Sequence, residues 1–386
     1  MNRIYLDNAA STPLDRDVLA LMVETLENCV GNPSSVHYHG RQQRTLIERA
    51  RKEIAEAVGA APSEIFFTSG GTEADNIAIK CSVDANGIGQ VITTAIEHHA
   101  VTHSVSVVER QGVSVTWLSV DREGFPDLNQ LEDRLKRGPR ALVSLMHANN
   151  ELGTLIDLAE VSRLCDRYGA LCHSDTVQTM GHVAYQLNEL PIHFVTASAH
   201  KLYGPKGIGF LYVKSGTRIP PLICGGSQER NMRAGTENVA GIVAMALAMK
   251  KCYGNLEAKN EHLWQLKEHM KAGLLQMIPG ISFNGATERG KSIPTVLNVA
   301  FPSDEEESML LFHLDISGIS ASGGSACTSG SVKGSHVLHA LGCSAARSAN
   351  SVRFSFGIQN TIDEIDEALH KIASLSNVTV QGASHQ

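Results

Sequence analysis

The sequence predicts an α/β protein that has a mostly parallel central sheet and a smaller α+β domain. Up to Gly254, short apolar runs alternate with amphipathic helical patterns. This alternation is typical of a parallel sheet covered by helices. After Gly254 the pattern changes to long helices separated by a few strands. We therefore expect a large domain over residues 15–254, and a small domain formed by residues 1–14 together with 255–386.

The apolar runs of the large domain have the length of strands and are bounded by turn residues. The predicted strands are 64–68, 90–94, 113–118, 141–148, 170–175, 193–199 and 207–213. The predicted helices are about 72–81, 97–111 and 157–169. The longest apolar stretch, Val239–Met249, is too short to span a bilayer, so we expect a buried helix there.

The small domain is predicted from the remaining patterns. Its helices are expected at about 256–277, 305–314 and 363–375, and its strands at 295–301 and 351–356. Between these elements lies SASGGSACTSGS, residues 320–331, which is rich in glycine and serine. Such a composition predicts a mobile loop.

Composition argues against several classes of function. The chain has 33 Lys and Arg against 40 Asp and Glu, a net charge of −7 with no basic block, which disfavours a DNA-binding role. Its eight cysteines form no CxxC pair, and the start of the sequence has no signal-peptide pattern. Cysteine and histidine spacings match no usual zinc ligand set. We therefore expect a cytoplasmic protein without a membrane span or a metal site.

A Gly-Gly-Thr turn stands between a predicted strand and a helix. The stretch is TSGGTEADN, Thr68 to Asn76. Glycines let backbone N–H groups approach a ligand, and a helix N-terminus favours an anion such as phosphate. A plain strand–helix turn with a threonine N-cap would give the same pattern. The full nucleotide-loop pattern is absent, which disfavours an NTP site.

Polar residues follow two further strands, at the edge where parallel sheets gather their chemistry. Asp175 ends one strand, and it is either a helix N-cap or a buried carboxylate that keeps a pyridine ring protonated. Gln178 is close enough to donate to a neighbouring ring oxygen. Lys201 follows the next strand, and it is either a snorkelling surface lysine or an amine that bonds to a carbonyl cofactor. Lys206, in a Gly-Pro-Lys-Gly turn, is expected to face solvent.

These three features together match the chemistry of one cofactor. Pyridoxal 5′-phosphate (PLP) has a phosphate, a basic ring nitrogen and an aldehyde. A phosphate-binding turn, a strand-end aspartate and a strand-end lysine would each meet one of these groups. The sequence therefore predicts a PLP site at the carboxyl edge of the sheet.

Eight motifs in one order resemble the cysteine desulfurases of the NifS/IscS branch, over about residues 4–375. They are YLDNAASTP, GNPSSVH, TSGGTEADN, HANNELGT, SDTVQTMGH, SAHKLYGPKGIG, GGSQERNMRAGTEN and SGGSACTSGS. The resemblance implies the aspartate-aminotransferase-like fold (PLP fold type I), a homodimer, and PLP as cofactor.

The resemblance also implies a role for each site residue. Lys201 would bond covalently to the cofactor, Asp175 would face its ring nitrogen, and His98 would stack over the ring and transfer a proton. Residues implied to contact the phosphate are Gly71, Thr72, Ser198, His200 and, from the partner subunit, Thr236. Residues implied to contact the ring oxygen or the substrate are Asn150, Gln178 and Arg353.

Arg353 stands between aliphatic strand residues, in SVRFSF. Its planar guanidinium suits a bidentate amino-acid carboxylate, although a structural salt bridge would also explain it. The resemblance implies that Arg353 binds the substrate carboxylate.

Cys327 lies in the glycine- and serine-rich loop, unlike the other seven cysteines. The resemblance implies that its thiolate takes the sulfur of L-cysteine as a persulfide, releases L-alanine, and passes the sulfur to an acceptor protein. That acceptor would be a scaffold for iron–sulfur clusters, or a carrier for tRNA or cofactor thiolation. Lys333-Gly334 stands where the family commonly has an acidic-proline pair. We therefore expect the docking of this loop, or its acceptor, to differ from what is usual in the family.

Three other functions are compatible with parts of this pattern. A selenocysteine lyase would use the same fold and cofactor but needs no loop cysteine. An ordinary aminotransferase would also need no Cys327. A non-catalytic sulfur-carrier subunit would have no need for Lys201, Asp175 and Cys327 together.

Overall fold

The computed structural model describes residues 3–306, 308–324 and 334–382, with side chains described as far as residue 375. Cys327 and Lys333, and with them most of the predicted loop, lie outside the described residues. The strands are β1 (Ile4–Tyr5), β2 (Ile65–Thr68), β3 (Gln90–Thr94), β4 (Ser114–Leu118), β5 (Ala141–Ser144), β6 (Leu171–Asp175), β7 (Phe194–Ser198), β8 (Gly209–Val213), β9 (Ser282–Asn284), β10 (Val296–Ala300), β11 (Ile319–Ser320) and β12 (Ser351–Ser355).

The helices vary from short turns to more than twenty residues. They are α1 (Arg16–Asn28), α2 (Tyr38–Val58), α3 (Gly71–Asn76), α4 (Ser82–Asn86), α5 (His99–Arg110), α6 (Leu128–Arg137), α7 (Leu158–Arg167), α8 (Val239–Gly254), α9 (Leu256–Met277), α10 (Leu310–Ile316), α11 (His336–Ala340), α12 (Ala345–Ala349) and α13 (Ile362–Gly382). A π-helical turn, Ile77–Cys81, joins α3 to α4. None of the helices in the described ranges combines the length and apolar character needed to cross a lipid bilayer.

Seven strands form the central sheet, in the order β2-β8-β7-β6-β5-β3-β4. Neighbouring strands from β7 to β4 are parallel, and only β8 runs antiparallel to its neighbours. All residues of β3, β5, β6 and β7 are buried, because helices cover both faces of the sheet. The predicted mostly parallel α/β architecture is confirmed.

Helices on the two sides of this sheet complete two hydrophobic cores. On one side, α2 and α8 pack through residues such as Ile54 and Met245. On the other side, α5 and the π-helical turn contribute Val101 and Ile77. The stretch predicted as a buried helix from Val239 is therefore the centre of one of these layers.

The C-terminal region has its own core and sheets. Strands β12, β10 and β9 form an antiparallel sheet, and β1 pairs in parallel with β11. A separate hydrophobic cluster joins α9 and α13 to these strands and also contains Ile4 and Leu6. The first residues of the chain thus pack with its last third.

Three predicted boundaries were wrong. The last helix, predicted to end at about residue 375, continues to Gly382. The strand predicted over 141–148 ends at Ser144, although two backbone bonds to β6 continue beyond it, from Leu145 N–H to His173 O at 3.2 Å and from His147 N–H to Asp175 O at 2.9 Å. The helix predicted from about residue 305 begins at Leu310. There the Leu310 N–H donates to the Ser308 hydroxyl at 3.3 Å. Local bonds from serine side chains to the backbone compete with the backbone bonds of a helix, which explains why this helix begins only at Leu310.

Candidate active site

A cavity of about 390 Å³ opens at the carboxyl edge of the central sheet. Of the twelve residues predicted for the site, ten line it. They are Gly71, Thr72, His98, Asn150, Asp175, Gln178, Ser198, His200, Lys201 and Arg353. The carboxyl ends of parallel strands meet at one edge of a sheet. Because Asp175 ends β6 and Lys201 follows β7, both residues lie at this edge.

One end of the cavity is formed by the turn that leads from β2 into α3. A Cβ on Gly71 would lie 2.6 Å from Val177 Cγ2, and one on Gly70 would lie 3.6 Å from Ser198 Oγ. Gly70 and Gly71 both line the cavity, so a ligand can approach the backbone of this turn closely. Such a cradle, with the Ser198 hydroxyl opposite, suits a phosphate.

His200 stands beside this cradle as a neutral ring. Burial, and then the positive charges of Lys201 and Lys206, lower its pKa to about 4. Lys206 was expected to face solvent, and its side chain is exposed while it also lines the cavity mouth. The end of the cavity next to this glycine turn therefore offers backbone N–H donors and, at its rim, the positively charged side chain of Lys206.

Asp175 lies deep in the opposite wall and is 6 % exposed. Its carboxylate accepts the Val177 N–H at 2.9 Å. Burial, and then the negative charge of Asp75, raise the pKa of Asp175 to about 6. A protonated ring nitrogen placed against this carboxylate would form a charge-assisted hydrogen bond and favour its ionised form.

Asp75 is a second buried acid in the cavity wall that sequence reasoning did not find. Its carboxylate accepts the Thr196 hydroxyl at 2.9 Å and lies 3.4 Å from His173 Nε2. Burial raises the pKa of Asp75 to about 7 and lowers that of His173 to about 4. One ligand atom each of Asp75, Asp175 and His98 lie within 4.8 Å of one another.

Lys201 follows β7 in a short 3-10 turn, and its ammonium reaches the N-terminal segment of the chain. Its Nζ donates to Ala9 O at 2.5 Å and to Ala10 O at 2.8 Å. The Gln178 side-chain amide also donates to Ala9 O, at 3.1 Å. The wall formed by Ala9–Ser11 was missed as a site segment, although the motif YLDNAASTP was its signal.

Arg353 forms the structural salt bridge that was one of its two sequence interpretations, and it also lines the cavity. It is 1 % exposed and forms a salt bridge with Asp7 at 2.8 Å, and its Nη1 donates to Asn150 O at 2.9 Å. It also lines the cavity, and within the described chain its Nε has no hydrogen-bond partner. The guanidinium is thus fixed in place with donor capacity to spare for a ligand carboxylate.

His98 caps the N-terminus of α5 and also faces the cavity. Its Nδ1 accepts the Ala100 N–H at 3.2 Å, so a neutral ring carries its proton on Nε2. Burial lowers the pKa of His98, although the Asp175 carboxylate opposes that shift. The lowered pKa favours the neutral ring, which carries its proton on Nε2.

Thr236 is the predicted residue that the structure places elsewhere. It is exposed and lines a neighbouring cavity of about 160 Å³, which shares Ser69 and Gly207 with the main one. Just before it, Glu229, Arg230 and Asn231 all have φ between 46° and 67°. Three consecutive left-handed residues without glycine are strained.

A buried ion pair fixes this strained turn. Arg51 donates to both carboxylate oxygens of Glu229, at 2.8 and 2.9 Å, and Phe67 N–H donates to the same carboxylate at 2.8 Å. Both charged side chains are almost fully buried. The strained turn is therefore held against the strand that leads into the phosphate cradle.

The cavity residues fit PLP. The glycine cradle and Ser198 offer room and donors for a phosphate, Asp175 offers a buried acceptor for a ring N–H, and Lys201 offers a primary amine between them. Each of these groups has a counterpart on the cofactor.

Comparisons with known proteins point to the same chemistry. Residues 4–368 match the aminotransferase class-V family. The chain is 43 % identical over 369 residues to cysteine desulfurase IscS of Dictyoglomus turgidum, covering 95 % of this chain and 92 % of that protein. It is 42 % identical over 378 residues to putative cysteine desulfurase IscS 1 of Bacillus subtilis, covering 97 % and 99 % of the two chains.

Solved structures agree with the sequence relatives. A NifS-like protein superposes with a TM-score of 0.90 at 35 % identity, covering 97 % of this chain and all of that one. The structure of SspA in complex with cysteine superposes with a TM-score of 0.81 at 31 % identity, covering 93 % of this chain and all of that one. The chain belongs to the class-V aminotransferase family, in the branch of the NifS/IscS-like cysteine desulfurases.

Proposed function

We propose that the protein is a PLP-dependent cysteine desulfurase. L-Cysteine and the Cys327 thiol would give L-alanine and a persulfide on Cys327. The C–S bond of the substrate breaks, an S–S bond forms, and the thiol hydrogens remain on the products, so no outside oxidant or reductant is required. The observation that carries the proposal is the convergence of Lys201, Asp175 and Arg353 on one cavity.

PLP would be held by the residues that fit its three ends. Gly71, Thr72 and Ser198 would bind the phosphate, Asp175 the ring nitrogen, and Lys201 the aldehyde carbon. When bound, the cofactor supplies an electron-withdrawing ring that stabilises negative charge on the carbon next to the amino group.

The protein side chains would orient L-cysteine and move protons around it. Arg353 is already held by Asp7 and Asn150 O, so it can bind the substrate carboxylate without reorganising. His98 would hold or move a proton at Nε2, because its Nδ1 accepts the Ala100 N–H. The buried walls around Asp175 exclude water from the reacting centre.

We also propose the division into two domains, the dimer and the cytoplasmic location predicted from the sequence. The separate hydrophobic core that joins residues near Ile4 to the C-terminal third supports the domain boundary. An apolar surface on α1 and the segment after it supports a homodimer, since Leu26, Val30 and Val36 are 64, 72 and 87 % exposed. Free cysteines in the described chain are compatible with a reducing compartment.

The decisive experiment measures alanine and sulfide released from L-cysteine in the presence of a thiol reductant. We expect equal amounts of both from the wild type and neither from Cys327→Ala, while both proteins keep the absorbance of bound cofactor. A Cys327→Ala variant that still releases both products would contradict the role of Cys327. Alanine formed only from selenocysteine would favour the lyase, and keto-acid formation would favour the aminotransferase. The thiol reductant takes the place of the sulfur acceptor in this assay.

A further inference from the structure

The carboxyl group of Asp75 lies next to the one that would face the cofactor ring. Asp75 is 1 % exposed and lines the same cavity as Asp175. One carboxylate oxygen of each residue lies within 4.8 Å of the other. Two carboxylates at this distance repel one another when both are ionised. A buried wall that holds such a pair is therefore more stable when a cation lies against it.

The position of Asp75 is fixed by the helix and the strand that it joins. Asp75 lies three residues after Thr72 in α3, the helix that begins at the glycine cradle. Its carboxylate accepts the Thr196 hydroxyl at 2.9 Å, and Thr196 in β7 is the register partner of Asp175 in β6. The Thr176 hydroxyl donates to Thr196 O at 2.7 Å and holds these two strand ends together. Helix α3 thus carries the cradle at its start and a carboxyl group beside Asp175 one turn later.

Folding does not require a carboxyl group at position 75. The amide oxygen of an asparagine would also accept the Thr196 hydroxyl, without a charge to bury. The other group beside the carboxylate is His173 Nε2, 3.4 Å away, and burial lowers the pKa of His173 to about 4. This ring is therefore neutral near pH 7, and it does not compensate a negative charge on Asp75. A cation bound in the cavity would do so.

The protonated ring nitrogen of PLP is a cation of this kind. Asp175 would accept its N–H in a hydrogen bond, as proposed above. A negative charge on Asp75, within 4.8 Å of Asp175, attracts the same cation without contacting it. Without Asp75 the ring nitrogen keeps its hydrogen-bond partner but loses this second attraction.

We propose that Asp75 is a positioning residue, which acts together with Asp175 to hold the PLP ring in its N-protonated form. The inference rests on the proposed function, because it concerns the binding of PLP. It predicts that Asp75 contributes to PLP affinity only when its carboxyl group is ionised.

The pH range of this contribution follows from the burial of Asp75. Burial raises the pKa of Asp75 to about 7, so its carboxyl group in the empty cavity is neutral at about pH 5.5 and ionised at about pH 8. A cation bound nearby lowers that pKa by about one unit. The wild type should therefore bind PLP about tenfold more tightly than Asp75→Asn at about pH 8, and within about 1.5-fold of it at about pH 5.5.

Other titratable groups of the described chain surround this part of the cavity, and they are the same in both proteins. They are Glu97, His98, His173, Asp175 and Lys201. Their charges, and those of PLP itself, act on both Kd values and largely cancel in the ratio of variant to wild type. This ratio therefore reports the charge at position 75.

The test measures the Kd of PLP for the full-length apoprotein by equilibrium dialysis, for the wild type and Asp75→Asn, across this pH range. The deaza analogue of PLP has a C–H group in place of the ring nitrogen, so it should bind both proteins equally at every pH. Nitrogen NMR of bound PLP, labelled at the ring nitrogen, gives a second readout that does not depend on affinity. We expect the pH at which the ring loses its proton to fall by about one unit in the variant.

Two further variants separate the charge of Asp75 from its hydrogen bond. Asp84→Asn removes a negative charge from an exposed position of the same helical stretch, and it should leave the Kd of PLP unchanged at every pH. Thr196→Val removes the hydroxyl but keeps the carboxyl group of Asp75. Because that hydrogen bond lowers the pKa of Asp75, the gain in PLP affinity should appear at a higher pH than in the wild type.

The outcomes that overturn the inference are distinct from those that overturn the proposed function. A Kd ratio that is the same at both ends of the pH range would reduce Asp75 to a structural tether between α3 and β7, and would leave the proposed function intact. An equal effect of Asp75→Asn on the deaza analogue would do the same, because that analogue has no ring charge. Failure of the wild type to bind PLP would overturn the proposed function and this inference together.

Discussion

The carboxyl group of Asp75 is a buried titratable group whose removal should stabilise the cofactor-free protein in a pH-dependent way. The perturbation is Asp75→Asn, which keeps the size of the side chain and the oxygen that accepts the Thr196 hydroxyl. Burial raises the pKa of Asp75 from 3.8 to about 7. The variant removes only the ability to ionise.

The sign and size of the effect follow from this shift. Below pH 4 the carboxyl is protonated in both folded and unfolded chains, so it has no effect on stability. Between pH 4 and 7 the unfolded chain ionises while the folded one keeps its proton, so the wild type loses about 1.4 kcal/mol per pH unit, reaching about 4 kcal/mol above pH 7. The Asn variant avoids that loss.

Thermal unfolding of both proteins across the pH range measures the difference. For 386 residues, an unfolding entropy of about 0.8 kcal/mol/K converts 4 kcal/mol into a Tm difference of about 5 °C. We expect the variant to unfold about 5 °C above the wild type at pH 8 and within about 1 °C of it near pH 4. Asp84→Asn, on an exposed position of the same helical stretch, is the matched control and should show no such trend. A Tm difference independent of pH would refute the reasoning.

Two further variants test the ion pairs next to the cavity. Glu229→Ala leaves Arg51 buried without its carboxylate and Phe67 N–H without its acceptor, so the free energy of unfolding in urea should fall by about 3–5 kcal/mol. A loss below about 1 kcal/mol is ordinary for a single substitution, and it would mean that the Arg51–Glu229 pair contributes little to stability. Arg353→Ala should raise KM for L-cysteine at least about tenfold, as expected for a charged hydrogen bond, and leave cofactor absorbance intact. An unchanged KM would restrict Arg353 to its salt bridge with Asp7.

The parts of the fold that could be predicted are those with local signals. Strand β3 occupies residues 90–94 as predicted, and α9 occupies 256–277, because an apolar period and bounding turn residues mark both. Helices α1, α2 and α6 were not predicted, although α1 and α6 each begin at an aspartate N-cap, Asp15 and Asp127. Their local signals were present in the sequence and were overlooked, since α2 alone spans 21 residues.

The site residues likewise divide into those that a local sequence signal marks and those that have no such signal. Asp175 and Lys201 stand at strand ends, so chain order and strand patterns were enough to bring them together. Asp75 was not found, because it lies inside α3 and its hydrogen-bond partner Thr196 is 121 residues away in the sequence. Ala9 was missed because it contributes a carbonyl oxygen, a group that every residue carries.

The pairing of the first residues with the last third of the chain has a consequence for synthesis on the ribosome. Asp7 and Arg353 are 346 residues apart in sequence, yet they form a salt bridge, and Arg353 and Ala9 both line the cavity. The central sheet can form while translation continues, since domains fold as units from the N-terminal side. The cavity, by contrast, can close only when β12 has emerged from the exit tunnel. The cavity wall that contains Arg353 is therefore completed only after nearly the whole polypeptide has been made.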